Sequence, residues 1–319
     1  MIVDRVEAIK LDRSVAEKYI RVVIKEQFDK NIQSINYLGG GSFGSAFNVE
    51  FEDNSNIVVK FLRAKDMLEK EVYDLGLLGA NCSLKFPKVL FVHRANESVP
   101  IDCYGMDMIK GKSVGMSLGM LFQPTKKRKA FADKVTTALH EIHQVTNEKF
   151  GDTLSPEYTD WLDFYKPFAK AILDKAEEMY KDNIISKKII MAMRTAWDKF
   201  DIIFSEKVEK ACLIHGDLNV GNIMVDKNYN ITGFIDPLNS MYADLEYDLF
   251  QFDNITGKRF YLRRTYIEKY GASKNCDVKC AFYGLYNEVY CFIKSGLLVD
   301  FIMNPLIKNM YKRLAELWK

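Results

Sequence analysis

Apolar positions recur at helical spacing over residues 13–30, where Val15, Ala16, Tyr19, Ile20, Val23 and Ile24 share one face. That pattern predicts an opening helix. The period then falls to two. Residues 34–38 read as a strand, 46–51 alternate apolar and polar, and 57–63 form a third run, with a polar turn at 52–56. Residues 67–75 return to a helical pattern. Two further runs, 89–92 and 101–109, predict strands joined by a polar turn. Five strands and their helices thus fill the first third of the chain.

Past Lys110-Gly111 the pattern becomes helical, which places a lobe boundary near Ile109 and divides the chain into residues 1–109 and 110–319. Helices are predicted over 129–144, 158–181, 188–209, 259–270, 277–294 and 305–318. Asn304-Pro305 suits an N-cap followed by a first helical position. The aromatic stripes of the second and third of these helices read as core. His140 and His143 lie on the first and read as packed or surface histidines. One polar, strand-like island around residues 213–237 interrupts the helices. The expected class is α+β, with an N-terminal lobe built on a five-stranded antiparallel sheet and a larger, mainly helical C-terminal lobe.

Composition narrows the function. A chain of 319 residues is long enough to bury a sizeable core. A net charge of +2 gives no electrostatic case for nucleic acid. No apolar run is long enough to span a bilayer, so no membrane partner is expected, and the opening residues lack the basic and apolar regions of a signal peptide. The six cysteines form no C-x-x-C pair, and the four histidines leave little for zinc. Reduced thiols in a cytoplasmic protein are the simplest reading.

The densest chemistry lies in Leu213-Ile214-His215-Gly216-Asp217-Leu218-Asn219-Val220-Gly221-Asn222, followed by Ile235-Asp236-Pro237. Asn222 stands five residues after Asp217, and Asp236 fourteen after Asn222. Phosphoryl transfer from a nucleotide needs this set: a carboxylate beside the attacking hydroxyl (Asp217), then an amide oxygen and a carboxylate for Mg²⁺ (Asn222, Asp236). The plainer alternative is a hairpin with turn-forming Asn and Asp.

Upstream, Gly39, Gly41 and Gly44 fit G-x-G-x-x-G, with Ser42 and Phe43 between the last two. A dinucleotide site would open a helix at the third glycine, and a Walker A loop would carry a lysine. Here a strand follows, and strand, glycine loop, strand is the kinase arrangement. Lys60 on the next strand would reach the nucleotide phosphates. Glu71 on the following helix, or Glu69 in reserve, would hold it. At the lobe boundary the Asp107 carbonyl and the Ile109 N–H would face adenine, with Met106 behind the ring.

With these residues in order, the chain resembles the protein-kinase-like superfamily over roughly residues 35–250. The branch it is most similar to holds the aminoglycoside phosphotransferases, fructosamine kinases and choline kinases. His215-Gly216-Asp217 has Gly where protein kinases usually have Arg, as small-molecule kinases do. Tyr242-Ala243-Asp244-Leu245-Glu246-Tyr247-Asp248-Leu249 is similar to the Y-G-D-R-E-x-D-L of fructosamine kinases, and Asp236-Pro237 stands where other kinases have Asp-Phe-Gly. Two positions depart from the fructosamine kinase pattern: Asn219 replaces a Trp and Leu245 replaces an Arg. The resemblance implies a bilobal protein-kinase-like fold, ATP (or GTP in its place), Mg²⁺ and a small-molecule acceptor.

Two spacings argue against a protein kinase. The stretch from Asp107 to His215 is longer than a protein kinase uses and holds extra helices. The segment from Asp236 to Asp248 is short and leaves little room for a regulated activation loop. The rival outside enzymes, a catalytically inactive nucleotide-binding protein, is opposed by every chemical position being filled. For the acceptor, Asp160 and Trp161 with Tyr242, Asp244 and Glu246 are the candidate wall. Carboxylates beside aromatics suit an amine-bearing or polyhydroxylated molecule. The alternative is that Asp160 caps its helix and Trp161 is core, which makes a neutral sugar as fitting. Asp248 either faces the acceptor or caps a helix.

Overall fold

The computed structural model describes residues 3–254, 257–298 and 300–317. The opening amphipathic segment forms α1 (Arg13–Gln27), which buries Ala16, Ile20, Val23 and Ile24. These pack on one face of an antiparallel sheet made of β1 (Ile32–Gly40), β2 (Gly44–Phe51), β3 (Asn56–Leu62), β4 (Val89–His93) and β5 (Cys103–Met106), in the order β1-β2-β3-β5-β4. The alternation of β3 decides what each face does. Val59 and Phe61 point into the small core under α1. Lys60, opposite Ala46 on β2 and Tyr104 on β5, points to the other face, where α2 (Leu68–Ala80) lies. The sequence places all five strands, with the last one running shorter than its apolar stretch.

The remainder is mainly helical. Long helices at Thr125–His143, Trp161–Lys181, Lys187–Trp197, Cys276–Ser295 and Asp300–Glu316 carry one extended core, dense in aromatic rings around Trp161, Tyr165, Phe200, Phe282 and Tyr283. The polar island forms short strands at Ala211–Ile214, Ile223–Val225, Ile231–Phe234 and Met241–Ala243. They join two-residue and three-residue strands at Lys112–Ser113, Thr146–Asn147, Phe150–Asp152 and Pro156–Tyr158. Those partners are too short to leave a periodic signature.

Most helix ends move by a few residues from expectation, and two differ further. The 188–209 pattern breaks into Lys187–Trp197, which ends at the C-cap Asp198, and a short turn at Phe200–Ile203. The last helix begins at Asp300, so Pro305 lies inside it rather than at its first position. Trp318, the expected last residue of that helix, lies outside the described residues.

Candidate active site

The glycine loop Gly41-Ser42-Phe43 joins β1 to β2 and is pinned where the Arg63 N–H donates to the Phe43 carbonyl at 2.7 Å. Gly39 is the next-to-last residue of the strand before it, which ends at Gly40. Gly44 has a specific steric duty: a Cβ there would come 2.8 Å from Lys60 Cε. The bare backbone lets the lysine stem cross under the loop.

Lys60 Nζ lies 2.9 Å from Glu71 Oε2 and 2.7 Å from Asp236 Oδ1. Glu71 also accepts from the Tyr104 hydroxyl at 2.9 Å, which fixes its rotamer. Burial works against the Lys60 charge, but Asp236, and behind it Glu71, outweigh that and hold the ammonium well above its ordinary range. Glu69, the reserve partner, instead meets Arg94 on the surface.

The helix that carries Glu71 is itself tied across to the helical region. Lys70 Nζ donates to Thr153 Oγ1 at 3.0 Å and the Ser240 carbonyl at 2.7 Å, and pairs with Asp74 and Asp152. At the lobe connection the Asp107 N–H is spent on the Lys88 carbonyl, and the Asp107 carboxylate accepts from the Lys88 N–H. The Asp107 carbonyl and the Ile109 N–H take no hydrogen bond within the chain among the described residues. Met106, half-buried, pairs with Val58 and Val89 across the sheet.

The loop after Ala211–Ile214 is held from below by one buried carboxylate. Asp248 accepts from the His215 and Gly216 N–H groups, both at 2.7 Å, and from His143 Nε2 at 3.2 Å. His143 in turn meets the Tyr266 hydroxyl at 2.7 Å. Asp248 therefore faces the loop backbone rather than an acceptor, and His143 is a packed histidine. Gly216 has φ +79°, and a Cβ would come 2.2 Å from the Asn239 carbonyl oxygen, so a side chain cannot stand there. His215 packs beside Phe86 and Phe234, its Nδ1 accepting from the Asp217 N–H at 3.3 Å. Burial lowers its affinity for a proton, which suits a brace.

Asp217 stands in the cleft with a donor on each carboxylate oxygen. Asn219 Nδ2 reaches Oδ1 at 2.9 Å and Asn222 Nδ2 reaches Oδ2 at 3.0 Å. Burial, then the nearby Asp236 charge, push the Asp217 carboxyl up to about 7 despite these two amides. Asp236 moves the opposite way: the Lys60 charge holds it below its ordinary range. It sits in left-handed backbone at φ 60°, with the Leu238 N–H closing a tight turn onto its carbonyl.

The donor set fits a hard divalent cation. The amide nitrogen of Asn222 is spent on Asp217, which leaves its carbonyl oxygen for a ligand. Lys60 takes one oxygen of Asp236 and leaves the other, on a side chain 46% exposed to the cleft. No group of three or more His, Cys, Asp or Glu able to hold a metal occurs among the described residues. Mg²⁺ is commonly bound by one or two carboxylates together with phosphates.

The acceptor wall read from the sequence is not formed. Asp160 caps its helix, accepting from the Leu162 N–H at 2.8 Å. Trp161 is wholly buried and donates to the Tyr283 hydroxyl. Asp244 and Glu246 are buried against Lys279, at 2.6 and 2.8 Å, with Tyr283 on the first and Ser273 on the second. Tyr242 is buried in a strand opposite Leu213. All five are committed to internal partners, because a cation contributed by a distant helix consumes both carboxylates.

The element that comes beside Asp217 is instead the helix Cys276–Ser295. The Tyr247 hydroxyl meets Asn287 at 3.4 Å, and Asn287 reaches Cys291 Sγ at 3.8 Å. Cys291 is exposed, and its thiol feels the Glu288 and Asp217 charges, which places it near both. Nothing in the apolar pattern of that helix sets Asn287, Glu288 and Cys291 apart. All six thiols are free, and no described helix is long and apolar enough to cross a membrane.

A family model for the phosphotransferase enzyme family matches residues 44–269. The chain belongs to that family. Among solved structures, it is similar to aminoglycoside 2'-phosphotransferase-IIIa in its GDP complex, with a TM-score of 0.69 at 18% identity, covering 93% of this chain and 98% of that one. A thermostable mutant of aminoglycoside phosphotransferase APH(4)-Ia, bound to ADP and hygromycin B, gives 0.69 at 17% identity over 92% and 97%. A Thermobifida fusca protein assigned as a fructosamine-3-kinase gives 0.65 at 18% over 93% and 99%. Comparison with the sequences of curated proteins gives no match. These likenesses agree with the bilobal, protein-kinase-like α+β fold expected from the sequence.

Proposed function

We propose that this phosphotransferase transfers the terminal phosphoryl group of ATP, with Mg²⁺, to a hydroxyl of a polar small molecule. The observation that carries the reading is the opposed environment of Asp217 and Asp236 in one cleft, with Lys60 bridging Asp236 to Glu71. When bound, Mg²⁺ would offset the charge of the phosphates and of the group in transfer. Asn222 and Asp236 would hold it. Glycine-loop N–H groups and Lys60 would hold the phosphates, and the Asp107 carbonyl and Ile109 N–H would take the base edge. Asp217 orients the acceptor hydroxyl and receives its proton as the new O–P bond forms.

Several observations support a small acceptor and a site that needs no assembly. The Lys60–Glu71 pair is formed, and Lys70 fastens α2 to the helical region. The stretch after Asp236 turns at once into strand and helix. For the acceptor itself, the Asp217 carboxylate in the cleft, with Glu288 near the Cys291 beside it, favours an amine-bearing or polyhydroxylated molecule over an acidic one. Neighbours of the same fold are bound to hygromycin B and gentamicin. A thermal-shift scan with ATP, GTP and Mg²⁺, followed by a phosphate-transfer screen over aminoglycosides, amino alcohols and sugars, tests the reading. No nucleotide-dependent shift and no transfer to any acceptor would overturn it. Better kcat/KM for deaminated or carboxylated acceptors would overturn only the acceptor class.

A further inference from the structure

We propose that Asn219 is a positioning residue, which holds the Asp217 carboxylate in the one rotamer that receives the acceptor hydroxyl. The proposal rests on the phosphotransferase reading of Asp217. Asn219 is also where the chain departs from the fructosamine kinase pattern, so that resemblance alone gives it no role.

The geometry comes from alternation along the loop. Leu218 and Val220 are wholly buried and anchor the backbone, which turns Asp217, Asn219 and Gly221 toward the cleft. The backbone folds tightly there: the Asn219 N–H donates to the Asp217 carbonyl at 2.8 Å, and the Asn222 N–H to the Asn219 carbonyl at 3.0 Å. The orientation of the Asn219 amide is then fixed by its oxygen, which accepts from the Gly221 N–H at 2.7 Å. With the oxygen turned that way, Nδ2 must face Asp217 Oδ1, 2.9 Å away.

Asn222 cannot do this alone. Its Nδ2 is shared between the Asp217 carbonyl at 2.7 Å and Oδ2 at 3.0 Å, so it holds one edge of the carboxylate and leaves rotation about the other free. A second donor on Oδ1 closes the cradle. A carboxylate that receives a proton in transit needs its accepting oxygen placed to within a fraction of an ångström, and a displacement of about 1 Å costs on the order of 10²-fold in rate.

The test separates the donor from the turn. Asn219→Ala removes both. Asn219→Asp keeps an oxygen for the Gly221 N–H and replaces the donor by a second carboxylate oxygen facing Asp217. The readouts are phosphate release from Mg·ATP with water as acceptor, the KM for Mg·ATP, and the Asp217 rotamer in crystals of Asn219→Ala. Asn219→Ala is expected to lose about 10- to 100-fold in kcat with KM unchanged within about twofold. Asn219→Asp should be slower still, and the Asp217 carboxylate should be rotated off Asn222 in the crystal. An Asn219→Asp variant as fast as the parent, a loss confined to KM, or an unmoved Asp217 would each overturn the proposal. Asp217→Asn serves as reference: if it releases phosphate as the parent does, the role of Asp217 fails, and this proposal with it.

Discussion

Replacing Lys279 by Met tests the packing that overturned the sequence-based acceptor wall. Lys279 is 2% exposed, and its ammonium lies 2.6 Å from Asp244 and 2.8 Å from Glu246. Breaking a buried pair by removing one partner costs about 3–5 kcal/mol, because the remaining charge is left uncompensated. Here two carboxylates are left, but neither is bare: Tyr283 stays on Asp244 and the Ser273 N–H and hydroxyl stay on Glu246. The lower end, about 3 kcal/mol, is therefore expected, which for a chain of this size lowers Tm by about 4–5 °C. Asp244 and Glu246 raise the folded-state Lys279 value above its ordinary range, so its contribution is full below the unfolded value and is lost only as pH rises through the folded one. The parent should therefore show no Lys279 effect near neutrality. Urea unfolding at pH 7 measures the loss. A Lys279→Met variant within about 1 kcal/mol of the parent at pH 7 would refute the reasoning, and so would an Asp244→Asn/Lys279→Met double variant no more stable than Lys279→Met alone.

Asp217→Asn should leave nucleotide affinity nearly intact and lower turnover by on the order of 10²–10⁴; near-normal turnover on the true acceptor excludes it as the base. In the parent, kcat/KM should fall as pH drops through about 7, because the raised Asp217 carboxyl is then protonated and accepts nothing; a flat profile from pH 6 to 8 contradicts that assignment. Asp236→Ala should abolish the Mg²⁺ dependence of ATP binding along with turnover, and calorimetry showing unchanged Mg·ATP affinity would move the metal site elsewhere. Lys60→Met should weaken nucleotide binding and catalysis more than folding; a large drop in Tm with normal nucleotide affinity would make Lys60 structural.

The parts of the molecule that the sequence discloses are those where one segment suffices. The alternation of β2 and β3, the glycine loop between strands and the spacing from Asp217 to Asn222 are local patterns with local causes. The meeting of Lys60 with Glu71 needed only a strand that turns the lysine to one face and a helix that follows. What stayed hidden depends on distant partners. Asp244 and Glu246 read as an exposed acidic pair because Lys279, which neutralises both, arrives on a helix far along the chain. Asp248 read as a cap or an acceptor contact because nothing nearby shows that two N–H groups of the catalytic loop converge on it. Asp160 and Trp161 are the instructive middle case: an Asp before an aromatic helix start is also the pattern of a cap and a core anchor, and that local reading is the one realised.

Three carboxylates stand close together, two in the cleft and one buried beneath its loop, and their surroundings separate them without any appeal to motif. Asp248 accepts from two backbone N–H groups and a histidine, so its capacity is spent on architecture. Asp236 faces an ammonium and the open cleft, which keeps it ionised over the working range of pH and leaves one oxygen for a cation. Asp217 is buried, meets only neutral amides and has Asp236 as a like-charged neighbour, so its proton affinity lies near neutrality. Pairs of titratable groups whose environments push them apart mark the division of labour in acid–base sites. The same division is reached here from burial and charge: the ionised group suits metal and phosphate, and the one poised near neutrality suits proton transfer. Binding a dication beside Asp236 should draw Asp217 downward, since a positive charge then replaces part of the repulsion. The acid limb of kcat, which reports the ternary complex, should therefore lie below that of kcat/KM for the nucleotide, which reports the free enzyme. Coincident limbs would mean that no cation held at Asp236 acts on Asp217.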